Sequence, residues 1–131
     1  MKPKQIWGNL AVADLHRTAE FYSALGFKQN TGMPEPGDLV SFSFGEDAFV
    51  INFFRKEKFE ANTGMRFSDS KNGIEVLFTI SAESRKEVDD WAEEARSAGA
   101  EMISEPVGFG NGFYGFTFAD PDGHAYNVFY M

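Results

Sequence analysis

The same order of predicted elements occurs twice along this chain of 131 residues, and this repetition restricts the possible folds more than any other feature. Each half contains one helical segment, which follows a short strand-like run and precedes three further ones. A repeat of this kind indicates a fold built from equivalent modules. The predicted order is therefore βαβββ followed by βαβββ.

The two helical segments have clear start and stop signals. Asp14 is placed to cap the first helix, and Gly26 to end it. The residues at helical spacing between them are Leu15, Thr18, Tyr22 and Leu25. Ser84 and Glu87 form a capping box at the start of the second helix, which Gly99 ends. Its apolar stripe consists of Val88, Trp91, Ala92 and Ala95.

The strand-like runs are rich in Phe and Val and are bounded by Gly, Pro and Asp. In the first half they span 6–12, 27–30, 39–44 and 49–54, and in the second half 75–80, 101–107, 112–119 and 125–130. The final runs also match in sequence, because an overlay of 46–54 on 121–129 pairs Asp47 with Asp122 and Asn52 with Asn127. This match supports an internal duplication.

The polar stretch between the halves contains turn signals at 62–64 and 71–73. It is predicted to be a crossover loop over 56–73, which either covers a pocket or is a solvated linker. The first module then spans 5–55 and the second 74–131, within a single domain of residues 1–131.

Composition excludes several classes of function. The chain has no cysteine, which excludes disulfides, thiolate catalysis and Cys-rich zinc sites. Its net charge is −8 with only 12 basic residues, which argues against a nucleic-acid partner. The apolar runs are shorter than the ~20 residues of a membrane span, and residues 1–10 lack the apolar core of a secretion signal. We therefore expect a cytoplasmic protein without a membrane partner.

Aromatic residues are abundant, at 16% of the chain with 15 Phe. They indicate either a Phe-rich core or an aromatic-lined cavity for an apolar or planar ligand. The two interpretations are compatible, because such a cavity is a core with a space inside it.

Three segments resemble the glyoxalase/bleomycin-resistance (vicinal oxygen chelate) superfamily. Residues 9–15 (NLAVADL) with 21–27 (FYSALGF) resemble its opening, and residues 118–124 (FADPDGH) resemble its last hairpin. Residues 84–89 and Ala98-Gly99 are similar to the branch called predicted lactoylglutathione lyases. The resemblance implies an α+β fold of two tandem βαβββ modules, which form a curved mixed sheet around a cavity, and a homodimer.

The resemblance also implies where a metal would bind. In the lyases and dioxygenases of this superfamily, a divalent metal is held in the cavity by His, Gln or Glu and stabilises charge that develops on the substrate. The first ligand position falls on Trp7, seven residues before Asp14. Its counterpart in the second module is assigned to Glu75, and the final-strand positions are Asn52 and Asn127.

These residue types are a poor donor set. An indole has no lone pair for a metal, and biological divalent cations prefer carboxylates or imidazoles to neutral amides. Only Glu75 is a plausible ligand, so we expect no cofactor, with a divalent metal as the alternative. His16 is expected on the solvated face of the first helix and His124 in the turn before the last strand, where neither completes a metal site.

Without a metal, the same positions suit a small-molecule ligand. Trp7 would stack on a planar or apolar group, and Asn9 lies on the same strand face. Asn52 and Asn127 would then form hydrogen bonds with the ligand, unless these polar groups satisfy one another or water. Phe109, Phe113 and Tyr114 lie in the glycine-rich segment 107–116, which is either a lid over the cavity mouth or a plain β-turn region.

Three functions remain open from the sequence. The first is a metal-free binding protein for a small aromatic or cationic molecule, in the manner of bleomycin-resistance proteins. The second is a metal-dependent glyoxalase-like lyase, isomerase or dioxygenase. The third is a metal-independent enzyme in which Glu75, in a dry cavity, acts as a general base.

Overall fold

The computed structural model describes residues 1–32 and 37–131, and the predicted α+β fold of two βαβββ modules is confirmed. The chain forms two compact units, Met1–Ser68 and Asp69–Met131. Each unit has its own mixed sheet, with one long helix packed on it.

Unit 1 contains six elements. They are β1 (Gly8–Val12), α1 (Leu15–Ala24), β2 (Lys28–Gln29), β3 (Leu39–Phe44), β4 (Phe49–Arg55) and α2 (Lys56–Thr63). The strands lie in the order β1-β4-β3-β2. β1 and β4 run parallel, whereas the other pairs are antiparallel.

Unit 2 repeats the arrangement. Its elements are β5 (Leu77–Ser81), α3 (Arg85–Ser97), β6 (Glu101–Met102), β7 (Val107–Phe109), a 3₁₀ turn (Gly110–Gly112), β8 (Phe113–Ala119) and β9 (Ala125–Tyr130). The strands lie in the order β5-β9-β8-β6, with β7 paired to β8. β5 runs parallel to β9, as β1 does to β4.

The predicted caps of α1 and α3 are present. The Asp14 carboxylate accepts a hydrogen bond from Arg17 N at 3.1 Å, and Ser84 Oγ accepts one from Glu87 N at 3.0 Å. The Glu87 carboxylate in turn accepts one from the backbone N–H of Glu83, the residue before the cap. Among the described residues, no helix has the length and apolarity needed to cross a bilayer.

Aromatic rings fill the core between each long helix and its sheet. In unit 1, Tyr22 of α1 is fully buried, with ring centroids 4.6 Å from Phe53 and 5.5 Å from Phe42. In unit 2, the Phe118 ring stacks on Phe116 and Tyr126. Because side chains alternate along a strand, the residues between these core positions lie on the other face of each sheet. We call that face, turned away from α1 or α3, the second face.

The prediction of a continuous loop over 56–73 is wrong at its start, because residues 56–63 form α2. Phe59 anchors this helix: its ring lies between those of Phe54 and Phe67, at centroid distances of 4.4 and 4.3 Å. The predicted turn at 62–64 is the end of the helix, where Gly64 adopts a left-handed conformation with φ 71°.

The predicted strand 101–107 is divided into β6 and β7. Ile103 N and Ser104 N both donate to Thr117 O, at 3.0 and 3.1 Å. Two residues therefore face one on the neighbouring strand, which is a β-bulge. Pro106 follows and has no N–H to donate to the sheet. The opening strands also begin two residues later than predicted, at Gly8 and Leu77.

Candidate functional site

Strand register shows which positions in the two units are equivalent. In unit 1, Asn52 of β4 pairs with Asn9 of β1, and in unit 2, Asn127 of β9 pairs with Thr79 of β5. Equating Asn52 with Asn127 therefore equates Asn9 with Thr79. Trp7 lies two residues before Asn9, and Leu77 lies two residues before Thr79. Trp7 and Leu77 are therefore equivalent.

The assignment of Glu75 as the counterpart of Trp7 is wrong by two residues. Glu75 precedes the first residue of β5 and is exposed. The helix caps give the same result as the register, because Ser84 follows Leu77 by seven residues, just as Asp14 follows Trp7. The four positions that the family resemblance identifies with metal ligands are therefore Trp7, Asn52, Leu77 and Asn127.

A row of neutral polar side chains crosses the second face of the sheet in unit 1. Asn52 Nδ2 donates to Asn9 Oδ1 at 3.2 Å. Ser41, the β3 partner of Asn52, is only 2% exposed and accepts a hydrogen bond at Oγ from Asn30 Nδ2 at 3.0 Å. Ser43 Oγ donates to Asn30 Oδ1, also at 3.0 Å. We call these five residues the first polar row.

Unit 2 has an equivalent row, formed by Thr79, Asn127 and Thr117, which we call the second polar row. Thr117 Oγ1 donates to Asn127 Oδ1 at 2.6 Å, and Asn127 is 9% exposed. Within the described part of unit 2, Asn127 Nδ2 has no acceptor, so it is available to donate to a ligand. The second polar row is therefore neutral, like the first, and its Asn127 Nδ2 can donate a hydrogen bond to a ligand.

Exposed aromatic side chains lie at the starts of the strands that carry these rows. Trp7 directly precedes β1 and is 52% exposed, and Phe113 begins β8 with 37% of its surface exposed. In unit 1, Trp7 and Phe49 line a pocket of about 260 Å³. The exposed indole of Trp7 therefore lines this pocket, and its stacking on a planar or apolar group stays a prediction.

Tyr114 does not lie with Phe113, which corrects its prediction as part of a lid. Its side chain lies against α3, where Tyr114 Oη donates to Asp89 Oδ1 at 2.6 Å and the Arg85 guanidinium lies 4.9 Å from the ring centroid. Because side chains alternate along β8, Tyr114 lies on the other face of the sheet from Phe113 and Thr117. The side chain of Phe109, which was predicted alongside it, lies outside the described residues.

The hydrogen bond to Asp89 raises the pKa of the Tyr114 phenol above its usual value, because it stabilises the protonated form. Partial burial and the Asp89 charge act in the same direction, whereas Arg85 opposes them. The pKa shift at Tyr114 therefore reflects its contact with the helix.

Neither histidine lies at a ligand position. His16 is on the exposed surface of α1, where Nε2 lies 3.0 Å from Glu20 Oε1. His124 is buried, with Nδ1 2.8 Å from Asp120 Oδ2. Asp120 Oδ1 also accepts hydrogen bonds from Asp122 N and His124 N, both at 2.9 Å. This pair stabilises the turn between β8 and β9.

The residues present do not fit a divalent metal. Trp7 and Leu77 have no lone pair for a cation, and Asn52 and Asn127 offer only neutral amides. Across residues 1–32 and 37–131, no three His, Asp or Glu side chains are grouped in a way that would hold one. The side chains at the register positions and the distribution of acidic side chains in the described residues therefore both argue against a divalent metal at this site.

Six residues of the site were not predicted from the sequence: Asn30, Ser41, Ser43, Leu77, Thr79 and Thr117. A signal was present in β3 and β8, because Ser41 and Ser43 interrupt the apolar sequence LVSFSF and Thr117 interrupts FYGFTFA. Pairing β3 with β4 and β8 with β9 places Ser41 beside Asn52 and Thr117 beside Asn127.

Comparisons with known proteins agree with this architecture. A family model described as glyoxalase/bleomycin resistance protein/dioxygenase superfamily matches residues 5–128. A hypothetical protein from S. aureus is 29% identical, with a TM-score of 0.85 over 100% of this chain and 96% of that chain. A glyoxalase-related enzyme from Fulvimarina pelagi is 18% identical, with a TM-score of 0.82 over 98% and 89% of the two chains.

A lactoylglutathione lyase from Agrobacterium tumefaciens is 23% identical, with a TM-score of 0.68 over 98% of this chain and 94% of that chain. No curated protein matches the chain significantly. At these identities the enzymes establish the fold alone, whereas the family model covers nearly all of the sequence. The chain belongs to the glyoxalase/bleomycin resistance protein/dioxygenase superfamily.

Proposed function

We propose that this protein is a metal-free small-molecule-binding member of its superfamily. The observation that carries the proposal is the set of side chains at the family's ligand positions, which are an indole, an isobutyl group and two carboxamides. These groups contact and hydrogen-bond organic molecules, whereas they coordinate divalent cations poorly.

The polar rows supply the recognition chemistry. Each row provides neutral donors and acceptors that are already fixed by hydrogen bonds within the protein, so that little side-chain entropy is lost on binding. Trp7 provides exposed aromatic surface two residues before Asn9, and Phe113 lies on the same face of β8 as Thr117. This combination of apolar surface with a few oriented polar groups is typical of small-molecule sites, and it suits a planar aromatic ligand.

The net charge of the protein bears on the charge of the ligand. The net charge of −8 favours a cationic aromatic molecule through long-range attraction. A cytoplasmic location and a homodimer complete the proposal, on the basis of composition and family resemblance respectively.

The test is a fluorescence titration in which Trp7 is the reporter. The second tryptophan, Trp91 of α3, is first replaced in a Trp91→Phe variant, which is then titrated with cationic, neutral and anionic aromatic compounds. We expect saturable quenching by at least one class, and weaker binding of that class to the Asn52→Ala and Asn127→Ala variants. Asn62→Ala, an exposed change in α2, is the control. No quenching across the panel would overturn the proposal.

Elemental analysis of protein purified without chelators tests the metal-dependent alternative. We expect no stoichiometric divalent metal, and no difference between the wild type and the Glu75→Gln variant. A stoichiometric metal that is lost in Glu75→Gln would instead support a glyoxalase-like lyase. The general-base alternative requires Glu75 in a dry environment, and the structure shows an exposed side chain.

A further inference from the structure

A pocket of about 320 Å³ lies on the second face of the sheet in unit 2, beside the turn between β8 and β9. Ala119 and Ala125 form its floor at the ends of these strands, with Thr117 of the second polar row next to them. Ile74 and Ile103, each at least half exposed, add apolar walls. The pocket is large enough for a small organic molecule.

The rim of this pocket is held in place by the backbone. Lys71 N donates to Asp69 Oδ1, and Asn72 N donates to Asp69 O, both at 3.0 Å. The same segment packs so closely on the β8–β9 turn that a Cβ on Gly123 would lie 2.7 Å from Lys71 N. The base of the Lys71 side chain therefore has a fixed position at the pocket.

Two opposite charges line this pocket without neutralising each other. Lys71 and Glu101 are both lining residues. Within the described residues, neither side chain takes part in an ion pair, with the other or with a third group. Both charges are consequently available to a ligand that carries a cation and an anion of its own.

Unit 1 has a pocket beside the corresponding turn, and it differs in its charged residues. Its pocket of about 260 Å³ lies between the segment before β1 and the turn before β4, with an apolar surface from Trp7 and Phe49. One lysine, Lys4, and one acid, Asp47, line it. By strand register, however, Lys4 corresponds to Ile74 and Asp47 to Asp122, so the charge pair of unit 2 is specific to its own pocket.

We infer that the pocket of unit 2 binds a zwitterion that bears an apolar substituent, with a free α-amino acid as the simplest example. The ligand carboxylate is held by Lys71 Nζ, its ammonium group by the Glu101 carboxylate, and its apolar side chain by Ala119, Ala125 and the two isoleucines. This inference rests on the proposed function, because it names a ligand class for the surface that includes Thr117.

Calorimetric titration with leucine, leucinamide and N-acetylleucine tests this inference. Leucinamide lacks the carboxylate and N-acetylleucine lacks the ammonium group, so we expect each to bind about tenfold more weakly than leucine. Lys71→Gln should reduce leucine binding to the level of leucinamide, and Glu101→Gln to that of N-acetylleucine. Lys58→Gln and Glu94→Gln, exposed on α2 and α3, are the matched controls and should leave binding unchanged.

Equal affinity for the three compounds would overturn the inference, and so would loss of binding in the control variants or no binding of leucine at all. The Trp7 fluorescence titration separates this failure from that of the proposed function. If aromatic compounds quench Trp7 while leucine does not bind, only the zwitterion inference fails. If neither titration detects binding, the proposed function fails as well.

Discussion

Asn9 and Asn52 face each other on the parallel strands β1 and β4, and Asn52 Nδ2 donates a hydrogen bond to Asn9 Oδ1 at 3.2 Å. The hydrogen bond fixes the orientation of both carboxamides, so that Asn52 Oδ1 points away from Asn9. In unit 2 the equivalent Asn127 is fixed through its oxygen instead, by Thr117 Oγ1 at 2.6 Å. The duplicated asparagines thus present different groups, an acceptor in unit 1 and a donor in unit 2.

The contact between Gly123 and the segment 70–71 leads to a prediction about stability. Gly123→Ala should lower the free energy of unfolding by about 3 kcal/mol, because φ is +95° and the new Cβ would lie 2.7 Å from Lys71 N. Gly45→Ala is the control: its φ is +75° but nothing lies within 4 Å, so only about 1 kcal/mol should be lost. Equal losses in urea denaturation would contradict the prediction.

Ala48 occupies the position in unit 1 that Gly123 occupies in unit 2. Its φ of 52° is unfavourable for an L-residue. Ala48→Gly should therefore stabilise the protein by about 0.5 kcal/mol, after the greater flexibility of glycine in the unfolded chain is taken into account. Thermal denaturation measures the effect. The control Ala61→Gly, on the exposed side of α2, should destabilise by about 1 kcal/mol.

The Tyr114–Asp89 hydrogen bond should stabilise the folded protein, and this contribution should be lost at alkaline pH. Since the pKa of Tyr114 is raised above 10.0 in the folded protein, this contribution is complete below pH 10.0 and is lost as the pH rises through the higher folded pKa. Tyr114→Phe should remove this part of the pH dependence, as measured by denaturation over an alkaline pH series.

A spectroscopic titration gives an independent check of the same contact. The difference in phenolate absorbance between the wild type and Tyr114→Phe reports the titration of Tyr114 alone. Asp89→Asn should move its pKa down towards 10.0, whereas Asp90→Asn should not, because Asp90 pairs with Lys86 instead. Retention of the raised pKa in Asp89→Asn would show that the hydrogen bond is not its cause.

The stack of Phe54, Phe59 and Phe67 should determine whether α2 remains folded. Phe59 is the buried residue of this eight-residue helix, and helices so short are unstable without packing. Phe59→Ala should therefore accelerate proteolytic cleavage within 56–67, while the strands of unit 1 remain protected. Phe49→Ala, at a position 37% exposed, is the control and should leave the cleavage rate unchanged.

The sequence predicted those elements whose signals are local. β3 and β9 match their predicted bounds, and the caps at Asp14 and Ser84 are present. α2 was missed because it buries one side chain and has no apolar stripe, so its terminal Gly64 was interpreted as a turn. The bulge at Ile103 and Ser104 depends on hydrogen bonds to Thr117, a residue more than a dozen positions away, and sequence periodicity does not report such contacts.

The site residues, too, were predicted only where a local motif provided a position from which to count. Trp7 and Asn127 were located by counting from the Asp-Leu pair and from the Asp-Gly turn. The second opening strand precedes a Ser cap without such a pair, so the count had no anchor there and reached Glu75 in place of Leu77. Strand pairing corrects this error, because it relates Thr79 directly to Asn127.

The two polar rows contain only amides and hydroxyl groups, none of which changes its protonation state in the physiological range. A neutral aromatic ligand that binds to them should neither take up nor release protons. Its calorimetric heat of binding should therefore be the same in phosphate and in Tris, two buffers whose ionisation enthalpies differ widely. A protein of this kind would retain its ligand through changes in cellular acidity that alter complexes held by histidine or by a metal-bound water.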